Sequence, residues 1–207
     1  MAVAEVGAAD TPRPIVVKAG GSLMEAGRLR DCLALIAKAE HPIIVVPGGG
    51  PFADAVRDLQ QKLGFDDAVA HRLAMLGMHQ MAEVMCSMES RLTPAERPED
   101  FARCIADGKV PVWLPLTMCR DDREIPADWT ITSDGLAARL AERLGGLEVI
   151  LLKSVAVENE STVQQLAQGE IVDPAFAQIV SEAKLPWRVL GPDDDAVLAR
   201  LIGAPSP

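Results

Sequence analysis

The chain has 207 residues, 49% of them apolar and only 3% aromatic, with a formal net charge of −10. That length buries a real core as one large domain, and an aliphatic composition of this kind fits an α/β fold. The acidic balance excludes a nucleic-acid or anionic-membrane surface, and no stretch approaches the roughly 20 apolar residues of a membrane span.

Residues 1–13 have neither a basic start nor a long apolar run, so they read as a flexible tail and not as a signal peptide. Residues 14–207 read as a single domain. Ile15–Lys18 is a short buried strand, broken by Gly20 and Gly21. Leu29, Leu33 and Ile36 then recur at helical spacing. A second buried strand, Ile43–Val46, ends in Pro47, Gly48, Gly49 and Gly50, and Phe52, Val56, Leu59 and Leu63 mark the next helix. Strand, glycine turn and helix thus occur twice, which predicts a parallel sheet covered by helices.

Phe65–Ser90 is a long helical pattern with methionines at 75, 78, 81, 85 and 88, a spacing that packs a core or a subunit contact. Thr93–Asp100 reads as a polar loop and is followed by a short helix to Asp107. In "KVPVWLPL", Pro111 and Pro115 predict an edge strand or a strand end. Asp121, Asp122, Arg123 and Glu124 read as a solvated loop. "TSDGLAARLAERLGG" is a helix with Ser133 or Asp134 as its N-cap and glycine as its stop. Leu147–Lys153 is the clearest strand of the second half. A helix near Pro174–Ala183, a strand "WRVL" and a helix after "GPDDD" complete the chain.

Taken alone, "KAGGS" serves equally as a tight turn or as a phosphate cradle, since it fits neither Walker A nor GxGxxG spacing. "PGGGP" repeats the arrangement after the next strand. Both turns then fall on one edge of the sheet, where open α/β sheets bind ligands, and two such turns suit two anionic groups. Lys18 and Lys153 end strands on that edge. Thr132, Ser133 and Asp134 open a helix, with Asp134 able to orient lysines or a magnesium-bound phosphate. Phosphoryl transfer needs positioning and charge neutralisation more than a covalent nucleophile, and these groups meet that need. His71 and His79 lie eight apart, on one face if Phe65–Ser90 is one helix; methionines spaced as Met75 and Met78 beside them serve core or subunit packing more often than a metal, and Arg72 and His79 could also face a substrate. Cys32, Cys86, Cys104 and Cys119 form no CxxC pair, which fits reduced thiols in a cytoplasmic protein and not zinc. No residue is assigned to a metal.

"VVKAGGSL", "VVPGGGPFADAVR", "TSDGLAARLA" and "VILLK" occur in the order and spacing of the amino-acid kinase family, and the chain resembles that family over most of Pro14–Lys153. The resemblance implies a three-layer αβα sandwich with a mainly parallel central sheet, an acceptor-side half over about 14–130 and a trimmed nucleotide-side half over about 131–207. "FDDAVAHRLAMLGMHQMAEVM", "IPADWTITSDGLAARLAERLG" and "GEIVDPAF" are similar to the small members that act in methanofuran biosynthesis. Those are ATP-dependent kinases of (aminomethylfuranyl)methyl phosphate. By position, the resemblance implies that Lys18, Asp134 and Lys153 are catalytic, and that Gly20, Gly21 and Ser22 line the ATP phosphates. Gly48, Gly49, Gly50, Thr132 and Ser133 would then hold the acceptor, a small phosphorylated or carboxylated molecule, with Mg²⁺ accompanying ATP. It also implies a homo-oligomer. One stretch departs from the pattern: the family's Val-Asp-Gly after the last of these strands is replaced by Ser154–Glu158, which puts nucleotide binding in question. Two rivals therefore stand beside this reading. One is a kinase of the same family acting on a carboxylate, carbamate or alcohol. The other is a non-catalytic binding or storage protein on the same fold.

Overall fold

The computed structural model describes residues 12–120, 122–158 and 160–205. Residues 1–11 of the expected tail, and Asp121, lie outside the described residues. Among the described residues six strands form one sheet: β1 (Ile15–Ala19), β2 (Ile43–Pro47), β3 (Leu92–Ala95), β4 (Val110–Trp113), β5 (Val149–Leu152) and β6 (Trp187–Leu190). Their spatial order is β3-β4-β2-β1-β5-β6, and every pair is parallel. The inner strands β2, β1 and β5 are mainly buried aliphatic residues, as expected where helices cover both faces.

Among the described residues ten helices connect them: α1 (Gly21–Glu25), α2 (Leu29–Ile36), α3 (Gly50–Leu63), α4 (Asp67–Met88), α5 (Pro98–Ala106), α6 (Leu116–Cys119), α7 (Ser133–Arg143), α8 (Val163–Gln168), α9 (Pro174–Glu182) and α10 (Asp195–Ile202). Alternation along each strand divides the core in two. Ile15, Val17, Val45, Ile150 and Leu152 pack with α2 and α10 on one face. Val16, Ile44, Val46, Val149 and Leu151 pack with α7 and α9 on the other. The result is the expected three-layer sandwich, with a wholly parallel sheet.

α4 belongs to both cores. Met75 and Met78 enter the core on the α7 side, whereas Met81 and Met85 enter the α2 side. The methionines therefore face inward, and Leu76 and Val84 are the large apolar residues that α4 leaves exposed.

Two local expectations are corrected. Leu92–Ala95 is a strand and not part of a loop, pairing β4 from Leu92↔Val110 to Ala95↔Trp113. It is only four residues long and carries Pro94, so neither length nor alternation marks it. β4 is consequently an interior strand. Its pairing with β2 is confined to Val45↔Val112, where Pro111 supplies no N–H, and Pro115 falls beyond it as the N-cap of α6. Val163–Gln168, for which the sequence carried no expectation, forms a short helix opened by a reciprocal Thr162–Gln165 capping box.

Candidate active site

Period-two alternation places Lys18 on the same face of β1 as Val16, beneath α7. Lys18 pairs in register with Leu151 of β5, and Lys153 follows two residues later, one step past the strand end. Both ammonium groups meet Asp134, the second residue of α7. Lys153 Nζ donates a hydrogen bond to Asp134 Oδ2 at 2.6 Å. Lys18 Nζ lies 2.8 Å from Asp134 Oδ1 in an ion pair that lacks hydrogen-bond alignment. All three side chains are close to fully buried. Burial alone would raise the Asp134 carboxyl, but the two lysines outweigh it and hold it below the usual carboxylate range. Desolvation, reinforced by the neighbouring Lys18 charge, pulls the Lys153 ammonium below the usual lysine range. Two positive charges against one negative leave a net positive spot in an acidic protein.

The two glycine turns close over this spot. β1 and β2 are neighbours, so their carboxyl ends and the turns that follow lie side by side. A Cβ on Gly21 would stand 2.4 Å from Gly50 Cα, and one on Gly48 would stand 2.8 Å from Gly20 Cα. Only glycine permits two backbones to approach this closely. The Gly48 N–H donates to the Ala19 carbonyl at 2.9 Å and ties the second turn to the end of β1. Gly20 lies directly over the Lys18 side chain, where a Cβ would fall 2.6 Å from Nζ.

A cavity of about 410 Å³ opens beside the turns. Gly21, Ser22, Gly48, Gly49 and Gly50 line one side, and Thr132 and Ser133, at the start of α7, line another. Trp129, His71 and Arg57 complete the wall. The Arg57 guanidinium stacks 4.3 Å from the centre of the Trp129 ring, and Trp129 Nε1 donates to Gln60 Oε1 at 2.7 Å. The structure thus brings every predicted site residue to one edge of the sheet, in two groups: a buried Lys18–Asp134–Lys153 triad and a glycine- and hydroxyl-lined cavity next to it.

A model of the amino acid kinase family matches residues 13–157. The chain belongs to the amino acid kinase family. Over 142 residues it is 31% identical to [5-(aminomethyl)furan-3-yl]methyl phosphate kinase of Methanocaldococcus jannaschii, covering 68% of this chain and 65% of that relative. The chain therefore spans just under two thirds of the length of the curated relative it matches. Uridylate kinase from Archaeoglobus fulgidus superposes with a TM-score of 0.65 at 17% identity, covering 93% of this chain and 96% of that one. Aspartate kinase from Synechocystis superposes with a TM-score of 0.62 at 17% identity, covering 86% of this chain and 38% of that one. These two likenesses establish the amino acid kinase fold.

Within this fold the N-terminus of α7 is built differently from the sequence expectation. Thr132, not Ser133 or Asp134, is the N-cap residue, and its own side chain does not cap. Asp173 takes over that task from 41 residues away. Its Oδ2 accepts from Thr132 N (2.8 Å), Thr132 Oγ1 (2.7 Å) and Gly135 N (2.9 Å), while its Oδ1 accepts from Phe176 N at 2.7 Å to cap α9. Asp134 is thereby released for the lysines. Asp173 went unnamed in the sequence reading: the Asp-Pro of "DPAF" could have marked it as a cap for its own helix, but nothing nearby in sequence marks its second task.

Other charged and imidazole groups also have structural partners. His79 Nε2 accepts from Leu116 N at 3.1 Å and anchors α6, while His71 Nδ1 faces the Asp128 carbonyl at 3.2 Å. Among the described residues, no group of three or more His, Cys, Asp or Glu side chains could hold a metal. Asp122 is not a solvated loop residue: its carboxylate receives Arg139 Nε and Nη2 at 2.9 and 2.8 Å and is almost fully buried. This forked pair pins the 122–130 segment against α7. The Ser154–Glu158 stretch leads from Lys153 to a cavity of about 280 Å³ bounded by Val157, Glu158 and β6.

Proposed function

We propose that this chain is an ATP-dependent phosphotransferase acting on a small phosphomonoester, [5-(aminomethyl)furan-3-yl]methyl phosphate or a close analogue. The observation that carries the reading is the buried Lys18–Asp134–Lys153 triad beneath two interlocked glycine turns. Lys18, near the end of β1 beneath Gly20, contacts the phosphoryl group in transit. Lys153 neutralises charge on the leaving side. Asp134 holds the two ammonium groups apart at a fixed spacing. Gly20, Gly21 and Ser22 receive the ATP phosphates, and Gly48, Gly49, Gly50, Thr132 and Ser133 receive the acceptor. Magnesium ATP supplies the phosphoryl group and offsets its charge. The donor set fits phosphate oxygens better than a metal cage, because Asp134 is committed to the lysines, so any Mg²⁺ would be held mainly by the phosphates. The protein would work in the cytoplasm as a homo-oligomer, with Leu59 and Leu63 of α3 and Leu76 and Val84 of α4 among the exposed apolar residues open to a second copy.

A second reading, a binding or storage protein on the same fold, draws on one observation: Ser154–Glu158 lacks the expected Asp-Gly. Calorimetric titration with ATP, with and without Mg²⁺, tests the first reading. Magnesium-sensitive binding, with phosphoryl transfer to the furan phosphate that Lys18→Ala abolishes, is the expected result. Absence of ATP binding at millimolar concentration would overturn it in favour of the storage reading.

A further inference from the structure

Lys153 is held at three points, and the third hold comes from far along the chain. Its N–H donates to the Leu190 carbonyl of β6 at 2.9 Å, and its ammonium donates to Asp134. Its carbonyl accepts from Arg28 Nη1 at 3.1 Å, across 125 positions of sequence. β5 ends at Leu152, so Lys153 stands one residue beyond the strand, and the 154–158 stretch that follows is irregular. A carbonyl past a strand end needs a donor from elsewhere, and the guanidinium supplies it.

Arg28 is itself placed by the first glycine turn. α1 opens at Gly21 of that turn, and its Leu23 carbonyl accepts from the Arg28 N–H at 2.8 Å. Gly27, with φ of +71°, turns the chain between the two. Arg28 occupies the N-cap position of α2, but its side chain makes no cap bond. It reaches across to Lys153 and to Asp195, the first residue of α10, whose carboxylate receives Nη2. Only 19% of the Arg28 side chain is exposed. The planar fork fixes one donor relative to the other, which a lysine would not do. One guanidinium thus joins the turn assigned above to the ATP phosphates to the lysine assigned to their charge.

We infer that Arg28 is a positioning residue for phosphoryl transfer, fixing Lys153 relative to the Gly20–Ser22 turn through the Lys153 carbonyl. The inference rests on the proposed kinase reading for the role of Lys153. The charged groups around the Lys153 ammonium are Lys18 from β1, Asp134 from α7 and Asp173 at the start of α9, and burial with Lys18 keeps it below the usual lysine range. Released from Arg28, the ammonium gains water and moves away from Lys18, so its titration rises toward the ordinary lysine value.

The test is steady-state kinetics of the full chain with ATP and [5-(aminomethyl)furan-3-yl]methyl phosphate, paired with an NMR titration of the lysine ammonium groups in which Lys153→Met identifies the Lys153 signal. Arg28→Met should lower kcat roughly tenfold to a hundredfold and leave the acceptor KM within about threefold. The Lys153 titration should move upward in the same variant. Arg28→Lys keeps a donor for the carbonyl and should recover most of kcat. Asp195→Ala breaks only the tie to α10 and should cost less than Arg28→Met. On the residual turnover of Lys153→Met, adding Arg28→Met should change nothing. Should Arg28→Met not fold, Arg28→Gln, which is polar but shorter, carries the same expectations. An unchanged kcat, an equal loss from Arg28→Met and Asp195→Ala, or a loss that persists in full on the Lys153→Met background overturns the inference. If wild type transfers no phosphoryl group, the kinase reading fails and the titration decides alone. A Lys153 signal that shifts in Arg28→Met then leaves the tether standing, and one that overlays wild type overturns it.

Discussion

Asp173 Oδ2 accepts a hydrogen bond from the Gly135 backbone N–H at 2.9 Å, joining the starts of α9 and α7 through one carboxylate. The same side chain satisfies donors of both helices, and it is buried. Asp173→Ala should therefore cost about 2–4 kcal/mol, as two caps are lost at once and buried N–H groups are left unpaired. Urea unfolding checks the magnitude. A loss below that of a single ordinary cap would mean that water replaces the carboxylate.

Asp134→Asn should cost about 3–5 kcal/mol, because Lys18 and Lys153 would face each other with no counter-charge in a buried place. Phosphoryl transfer should fall with it by orders of magnitude. Since Asp134 titrates below the usual carboxylate range, its stabilising contribution is complete above the unfolded-chain value of about 3.9 and is lost as pH falls through the lower folded value. The stability gap between wild type and Asp134→Asn should hold at neutral pH and narrow below that unfolded-chain value. A gap independent of pH down to acid unfolding would contradict this.

Lys153 sets the alkaline limit. Its ammonium loses its proton below the usual lysine value of about 10.4, so the dependence of kcat/KM on pH should fall on the alkaline side before that point. The unfolded chain keeps that proton to higher pH, so the same shift makes the fold gain stability as pH rises through the folded value. Lys153→Met should flatten both alkaline limbs. Profiles of wild type and Lys153→Met that overlay would assign the limb to another group.

Gly21→Ala tests the interlocked turns. The added methyl meets the Gly50 backbone at 2.4 Å, and backbone cannot swing aside as a side chain can. A loss of about 3 kcal/mol or more is expected, with ATP affinity reduced in parallel. Gly27→Ala is the control. It has open space around it and only a left-handed backbone, with φ of +71°, to strain, so it should cost about 1–2 kcal/mol and leave ATP affinity alone. Equal effects of the two substitutions would show that close approach of the turns is not what the glycines serve.

Legibility in the sequence followed distance along the chain. The two strand–glycine–helix units were readable because β1 and β2 are runs of buried residues with adjacent glycines, all decided within a dozen positions. Lys18 and Lys153 were readable for the same reason, as strand-end residues. β3 escaped because four residues with a proline show no period, and its identity as a strand comes from β4. The second task of Asp173 and the closing of the pocket by His71 and Trp129 depend on which distant segments dock together. The forked Arg139–Asp122 pair is of the same kind: a run of charges reads as solvated until a partner on another helix buries one of them.

α4 carries a further consequence. A helix of 22 residues is a rod about 33 Å long, and this one has its first methionines in one core and its later ones in the other. Neither face of the sheet can loosen without dragging that rod out of register with the opposite face. The two cores should therefore melt together, and slow hydrogen exchange along α4 would report their joint opening.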